Sequence, residues 1–485
     1  MKINIYQIVA ICALGLLALF SCRQENLLKD TGAKLSFSTD TVAFDTIFTT
    51  LGSTTKHFRV YNPHPQPINV SSIFLSGGEN STFRLNMDGS PTNKVDNIEI
   101  PAKDSLYIFV EVTLDPNDDN APLLISDSVV FITNGNIQDV KLVAWGQDVH
   151  LYNNEFIEEE VWTAEKPYLI FNIAFLDTGK SLTIEAGTKV HLHKNSIIYV
   201  AGNLKINGGI ENPVTFSGDR LEELYKDVPD QWNSIHFFNG SSGEINHTEI
   251  INGRFGIIAG TASDGAFPNV EIKNTVIHNM SAYGIYAVNA NLNVYNTQIS
   301  NAQYALFNVD AGGNYNFYHC TFAHYNASKN LPSITLFNKL TLAVTDEFNQ
   351  VIDTAYYQSD LNAYFGNCII YGGRKSEFFF ENSEENELNY LFDNSLLRLE
   401  VDSFETGNPE YFQNNIYNED PKFINLKDDF QLDTLSPAKD AASTDVLNQY
   451  PLILEKDLLG NSRTEDDKPD LGAYERKEGE EETEE

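Results

Sequence analysis

The chain has 485 residues, of which 68 are Asp or Glu and 32 are Lys or Arg, so its formal net charge is −36. A surface this acidic repels nucleic acid and anionic lipid headgroups, and it disfavours polyanionic glycans unless a local basic patch exists. The four cysteines form no CxxC pair, which excludes a disulfide scaffold and a CxxC metal site.

The first element is an apolar run near the N-terminus. Lys2 precedes it, the run extends from Ile8 to Phe20, and Ser21 and Cys22 follow. The run is too short for a comfortable membrane span, so we interpret residues 1–21 as a signal peptide. An ordinary secretory signal, in which Cys22 has no special role, is the simpler alternative.

The end of this run, Leu19-Phe20-Ser21-Cys22, resembles a bacterial lipobox. The resemblance implies that Cys22 is acylated and becomes the first residue of the mature protein. Arg23 in the next position implies sorting to the outer membrane, at the cell surface or on the periplasmic face. Several acyl chains give stable anchoring where one would be marginal. Residues 22–34 would then form a polar tether between this lipid anchor in the membrane and the first domain.

Residues 35–150 contain short segments that alternate apolar and polar side chains. Turn residues such as Asn62-Pro63 and Gly77-Gly78 separate them. This pattern predicts a β-sandwich. The series Phe58 to Asn62, Pro101 to Val110, Asp115-Pro116 and Trp145-Gly146 resembles bacterial immunoglobulin-like modules of the ASH type. That resemblance implies a spacer or partner-binding module. The acidic turn from Asp115 to Asn120 could hold calcium, although a solvated loop is the simpler interpretation.

Residues 151–400 show internal repetition. The repeated unit is an Asn or His, followed by Thr or Cys and two further residues of a strand. Its copies begin at His247, Asn274, Asn296, His319 and Asn367, at intervals of 27, 22, 23 and 48 residues. Such periods are typical of stacked units that bury a core only together. The segment resembles a right-handed parallel β-helix of the pectate-lyase-like kind.

Asparagine at the start of the repeat is explained by backbone geometry. Asn tolerates left-handed backbone angles, and its amide can hydrogen-bond along a stack, so Asn274, Asn296 and Asn367 are predicted to form a structural ladder. The following residues, Thr and then Cys320 and Cys368, are expected to point inward. A disulfide between these two cysteines and a pair of stacked buried thiols both remain open.

One outward row of the solenoid is the candidate binding surface. The alignment of coils turns five side chains outward: His236, Ile258, Tyr286, Phe307 and Thr335. The row contains no acid, Lys or Arg, so it predicts no catalytic residues and no metal site. His236, Tyr286 and Phe307 could stack on sugar rings. Alternatively, an insertion from Thr341 to Asp360, or the first domain, covers this apolar row.

Residues 401–476 resemble the closing segment of bacterial β-helix proteins and are predicted to cap the solenoid. Asp457, Arg463 and Asp470 are expected to be turn and ion-pair residues of this cap. Residues 477–485 are an acidic tail without apolar side chains that could be buried, so they are predicted to be disordered.

The predicted fold is therefore all-β: an N-terminal immunoglobulin-like β-sandwich, then a right-handed parallel β-helix with a C-terminal cap. The leading functional hypothesis is a non-catalytic, lipid-anchored envelope protein that binds a polysaccharide or an envelope protein partner through its β-helix. The alternative is a polysaccharide lyase or glycoside hydrolase of the β-helix type. That alternative depends on fold analogy alone, and fold does not imply function.

Overall fold

The computed structural model describes residues 26–49, 52–87, 89–114, 123–263, 265–325, 331–345, 350–383, 385–465 and 468–476. It divides the chain into two compact units, residues 1–148 and 149–485. Both units are built almost entirely from strands, and the predicted fold class is confirmed.

The first unit is an immunoglobulin-like sandwich of two five-stranded sheets. One sheet has, in spatial order, the strands Ser36–Phe37, Lys56–Tyr61, Ser105–Val112, Phe83–Met87 and Ser90–Pro91. The other has Thr41–Phe48, Asn136–Gln147, Leu123–Thr133, Ile68–Leu75 and Lys94–Ile100. Alternate residues such as Phe58, Val60, Ile108 and Val110 are buried between the sheets, as a period of two requires.

The second unit is the β-helix, in which 26 parallel-paired strands stack coil upon coil. Each coil passes through three faces, which we name sheets A, B and C in chain order. Sheet A contains Lys189–Leu192, Val214–Gly218, Thr248–Ile251, Val276–Met280, Gln298–Ala302, Thr321–His324, Ile369–Gly372, Leu396–Leu397 and Ile416–Tyr417. Sheet B contains Ile197–Val200, Ser234–Phe237, Phe255–Ala259, Ile334–Phe337 and Phe378–Glu381.

Sheet C contains Glu160–Trp162, Ser181–Glu185, Asn203–Asn207, Ser242–Asn246, Asn269–Lys273, Leu361–Gly366, Leu388–Asp393 and Phe412–Gln413. Four long strands bend from one sheet into the next. His150–Ile157 and Tyr168–Leu176 pass from A to B, and Tyr283–Tyr295 and Phe307–Tyr318 pass from B to C.

The interior of the β-helix consists of like side chains stacked on successive coils. Because neighbouring strands are about 4.8 Å apart, a residue in one coil lies directly over its equivalent in the next. Phe317, Phe365, Phe392 and Phe412 form such a stack, with ring centroids 4.9, 4.7 and 5.5 Å apart. This column of rings belongs to the largest apolar cluster among the described residues of the unit.

The asparagine ladder lies at the turn from sheet C to sheet A. Asn274, Asn296 and Asn367 have φ angles of 49°, 45° and 53°. The Nδ2 of Asn296 donates to the Oδ1 of Asn274 at 3.2 Å, and the amide of Asn367 bonds His319 at 2.8 Å. The residues that follow, including Cys320 and Cys368, are buried, and both cysteines are free thiols.

The C-terminal segment lies along the side of the β-helix as well as at its end. The coils continue through residues 412–417, and the chain then packs against the outer surface of sheet A. Its apolar side chains cover Ala323, Ile369, Tyr371 and Leu396. The segment contains the strands Phe423–Asn425 and Asp429–Leu432 and the short helices Thr444–Leu447 and Pro451–Leu454.

The ladder residues hold this segment in place. The Nδ2 of Asn296 donates to the carbonyls of Ile453 and Lys456 at 3.1 and 2.8 Å. Asn367 exchanges two hydrogen bonds with the backbone of Ser443, at 2.9 and 2.8 Å. The predicted ladder therefore both supports the turns and docks the cap.

Arg463 is the centre of the cap. Its guanidinium is fully buried and donates to Glu475 at 3.0 Å, to the Gly472 carbonyl at 2.8 Å and to the Oδ1 of Asn296 at 3.2 Å. Asp457 accepts from the backbone N–H groups of Leu459 and Glu475. These contacts match the structural roles expected for these residues.

A two-stranded hairpin, Lys339–Thr345 and Val351–Gln358, leaves the coil after sheet B and corresponds to the predicted insertion. Three short 3₁₀ turns, Gly78–Asn80, Glu223–Tyr225 and Val401–Ser403, complete the structure. In the part of the chain that the structure describes, no helix is long and apolar enough to cross a membrane.

Candidate functional site

The outward row of sheet B is the candidate site. Paired residues on successive coils define it, because equivalent outward side chains of stacked strands lie one above another. In order along the solenoid the row is Phe156, Phe175, Tyr199, His236, Ile258, Tyr286, Asn308, Thr335 and Phe379. His236 and Tyr286 thus lie in one row, as expected from the sequence.

The prediction that Phe307 faces outward is wrong. Phe307 is fully buried and pairs with the inward residues Ile285 and Ile334, so Asn308 takes the outward position. The reason lies at the corner between sheets A and B, where Leu306 and Phe307 both point inward. Other coils have a glycine at the position of Leu306, such as Gly284. Because Leu306 is apolar, the predicted register takes it as the inward residue of the strand, which places Phe307 outward by an error of one residue.

Five aromatic side chains form a continuous patch at the first four coils, which we name the aromatic face: Phe156, Phe175, Tyr199, His236 and Phe238. Ring centroids of neighbouring members are 4.8 to 6.3 Å apart. Phe156 is 64% exposed, and the other four are partly exposed. A run of partly exposed rings along a sheet presents an apolar surface that is typical of ligand-binding sites.

His236 is neutral in this environment. Burial lowers its pKa, which the hydrogen-bonding contact with the Gly260 carbonyl, 3.3 Å from Nε2, only partly offsets. Its ring stacks against Phe238 at 4.8 Å. The aromatic face therefore carries no formal charge at neutral pH.

A second aromatic group follows on the next coils of the same sheet. Phe255, Tyr283 and Tyr304 stack at 5.8 and 5.5 Å, and Tyr286 lies 5.3 Å from Tyr283. The hydroxyl of Tyr286 donates to Asp310 Oδ2 at 2.6 Å. The sequence does not predict Asp310 as a site residue, because the register error places the position two residues after Asn308 on the inward side.

The carboxyl of Asp310 contacts this row through its hydrogen bond with Tyr286. Burial raises the pKa of its carboxyl, although hydrogen bonds from Tyr286 and Asn308 act in the opposite direction. A carboxyl with a raised pKa can act as a general acid. A glycoside hydrolase of the usual kind needs a second carboxyl across the scissile bond, and the nine described residues of the row include no Asp or Glu.

A second cluster of polar residues contains a glutamate that contacts both a serine and a histidine. Glu377 accepts from the hydroxyl of Ser333 at 2.7 Å and lies 3.4 Å from the Nδ1 of His324. All three residues are fully buried or nearly so, and the serine bonds the carboxylate instead of the histidine. This arrangement lacks the serine–histidine bond of a nucleophilic triad, so its role is structural.

Sheets A and B differ in whether the cap packs on their outer surface. The cap's apolar clusters contact sheet A and the turn from sheet C to sheet A, and they contain no outward residue of sheet B among the described residues. No hydrogen bond or ring contact joins the described part of the hairpin at 339–358 to His236 or Tyr286. Within this unit, the aromatic face stays accessible.

Two predicted sites lie outside the described residues. Cys22 falls there, as does the acidic turn from Asp115 to Asn120 that could hold calcium. Elsewhere, the described residues contain no group of three or more His, Cys, Asp or Glu side chains that could hold a metal ion.

Comparison with known proteins gives no family and only weak structural matches. No protein-family model matches the chain, and no curated protein is detectably similar to it in sequence. Among solved structures, a family 123 glycoside hydrolase from Clostridium perfringens matches at TM-score 0.18 and 9% identity. That match covers 25% of this chain, and this chain spans about a quarter of that hydrolase, 26% of its length.

Two further solved structures also match. The ASH/PapD-like domain 7 of human CEP192 matches at TM-score 0.18 and 8% identity, over 27% of this chain and 96% of that domain. The periplasmic chaperone SfaE matches at TM-score 0.17 and 13% identity, over 27% of this chain and 67% of the chaperone. TM-scores this low assign no function.

Proposed function

We propose that this protein is a lipid-anchored envelope protein that binds a neutral polysaccharide on sheet B of its β-helix. The observation that carries the proposal is the aromatic face, five rings on four successive coils. The coils repeat at about 4.8 Å, so the rings form a regular line along which a chain of sugar rings can lie. The proposed anchor is acylated Cys22, and the proposed location is the outer membrane.

The charge distribution favours a neutral glycan. The aromatic face is uncharged, and the chain as a whole carries −36. A polyuronate would be repelled by this net charge and would find no cation in the outward row to offset it. A neutral sugar needs no counter-charge and can stack on the rings of the aromatic face.

Replacing Tyr199 or Phe175 with alanine is expected to weaken binding of a neutral polysaccharide about tenfold, because each removes a ring from the middle of the platform. Both side chains are partly exposed, so the fold should survive, which circular dichroism can check. Tyr356→Ala is the matched control, since this 58% exposed tyrosine lies on the hairpin. Isothermal titration against neutral and acidic polysaccharides measures the effect.

Two results would contradict this proposal. Equal losses in the Tyr199 and Tyr356 variants would show that the aromatic face is not the site. Release of new reducing ends by the wild-type protein, abolished in Asp310→Asn, would instead support the hydrolase alternative, with the half-buried carboxyl of Asp310 as its general acid.

The lipid anchor has its own test. Cys22→Ser is expected to abolish incorporation of labelled fatty acid, because the serine hydroxyl cannot form the thioether linkage of a lipoprotein. The variant should also leave the membrane fraction after a salt wash. Unchanged labelling would show that Cys22 is incidental, and Cys320→Ser serves as the control because that thiol is buried.

A further inference from the structure

His236 lies within the aromatic face, in the strand Ser234–Phe237. Its ring is 5.7 Å from that of Tyr199 on the preceding coil and 4.8 Å from that of Phe238, which follows the strand. Ile258 occupies the same row on the next coil. None of these neighbours is charged, and Tyr199 is the one titratable side chain among them. The side chains of the aromatic face therefore have polar atoms only in the imidazole of His236 and the hydroxyl of Tyr199.

The contact with Gly260 fixes which nitrogen of this imidazole carries the proton. Nε2 lies 3.3 Å from the Gly260 carbonyl oxygen, which can only accept, so Nε2 is the donor in the neutral ring. Nδ1 is then an acceptor. It forms no hydrogen bond with the described residues, and it is not one of their buried polar atoms that lack a partner. Its lone pair is therefore open to solvent.

A ligand that stacks on the aromatic face covers this nitrogen. A buried acceptor without a donor is costly, because it loses its hydrogen bond to water and gains none in exchange. The replacement must come from the ligand. The hydroxyl groups of a sugar are donors, and they project from the edge of the same ring whose face is apolar enough to stack.

We propose that His236 is a specificity-determining residue of the polysaccharide site, where its Nδ1 accepts a hydrogen bond from a free hydroxyl of the bound chain. The inference rests on the proposed function and adds the chemistry of the sugar unit at His236. That unit has an unsubstituted hydroxyl, and a chain whose hydroxyls are O-methylated binds less tightly. Tyr199 does not make this selection, because its hydroxyl both donates and accepts and so tolerates either kind of partner.

Protonation of His236 gives a measurement that a purely structural ring would not affect. The imidazolium has a proton on both nitrogens, so Nδ1 no longer accepts. A bound sugar also removes water from this cation, and no carboxylate of the described residues pairs with it. Burial holds the pKa of His236 below its ordinary value of 6.5. Affinity is therefore expected to be constant around neutral pH and to fall at lower pH.

The test is isothermal titration of the full chain in detergent solution with laminarin, xyloglucan, galactomannan and dextran. The probe that binds most tightly is also tested after O-methylation. His236→Phe keeps an aromatic ring but removes the acceptor, so it is expected to weaken binding about tenfold at neutral pH. It should also abolish the fall in affinity between about pH 7 and about pH 4. Tyr199→Phe is the matched control, which should keep the pH dependence of the wild type.

The outcomes separate this inference from the proposed function. Absence of binding of every probe to the wild type contradicts both. Equally tight binding by His236→Phe contradicts the role of Nδ1 and leaves the aromatic face as the site. Wild-type affinity that does not change with pH, or that is equal for the O-methylated probe, contradicts this role as well. These last two measurements use the wild type alone, so they decide the question even if a variant does not fold.

Discussion

Replacing Arg463 with methionine is expected to destabilise the β-helix unit by about 3–5 kcal/mol. The guanidinium is fully buried and bonds Glu475, the Gly472 carbonyl and Asn296. Its loss removes the cation that pairs with the buried Glu475 carboxylate and disconnects the cap from the asparagine ladder. Urea unfolding followed by tyrosine fluorescence measures the change, and limited proteolysis reports release of the cap.

Lys468→Met is the control for Arg463. It removes a positive charge from an exposed position in the same segment, so its effect should stay within about 0.5 kcal/mol. If the two variants unfold at the same urea concentration, then Arg463 does not hold the cap. Because the chain has two units, the unfolding curve of the β-helix must be separated from that of the sandwich.

Replacing Phe365 with alanine is expected to cost about 3–5 kcal/mol, because it leaves a cavity in the middle of the phenylalanine column. The ring is fully buried and stacks on Phe317 at 4.9 Å and on Phe392 at 4.7 Å. The cavity removes the ring contacts with the coils on both sides. We therefore expect the last coils to be held less tightly to the rest of the β-helix. Hydrogen exchange of amides in residues 388–413 should rise in this variant.

Phe365→Leu is the matched comparison for this site. Leucine fills most of the volume, so the cost should fall to roughly 1–2 kcal/mol. Equal stability of the alanine and leucine variants would mean that the column contributes no packing energy. Neither change touches the aromatic face, so glycan affinity of the folded fraction should stay constant in both.

Part of the candidate site was within reach of the sequence. His236 and Tyr286 were placed correctly in the outward row, because both follow an isoleucine of the inward row. Extending the same register backwards would have reached Tyr199 and Phe175. The intervals between these residues are irregular, 24 residues and then 37, because the coil before His236 carries an excursion at residues 219–230.

Other features depended on which coils become neighbours. Phe238 meets Tyr199, and Tyr411 meets Tyr390, only because each pair falls on adjacent coils. The docking of the cap on sheet A likewise depends on contacts between residues that are far apart in the chain. Nothing in the spacing of residues 423–475 indicates that they run back to Asn296, 167 residues before Arg463 in the chain.

The sequence by itself determined the kind of fold and the turn ladder. Both are local properties: a repeated apolar pattern specifies stacked strands, and a left-handed turn selects asparagine at Asn274, Asn296 and Asn367. The tertiary structure alone decided the register at Phe307, the partners of the cap and the membership of the aromatic face. These are contacts between coils, and they depend on the length of every loop between them, which no local preference encodes.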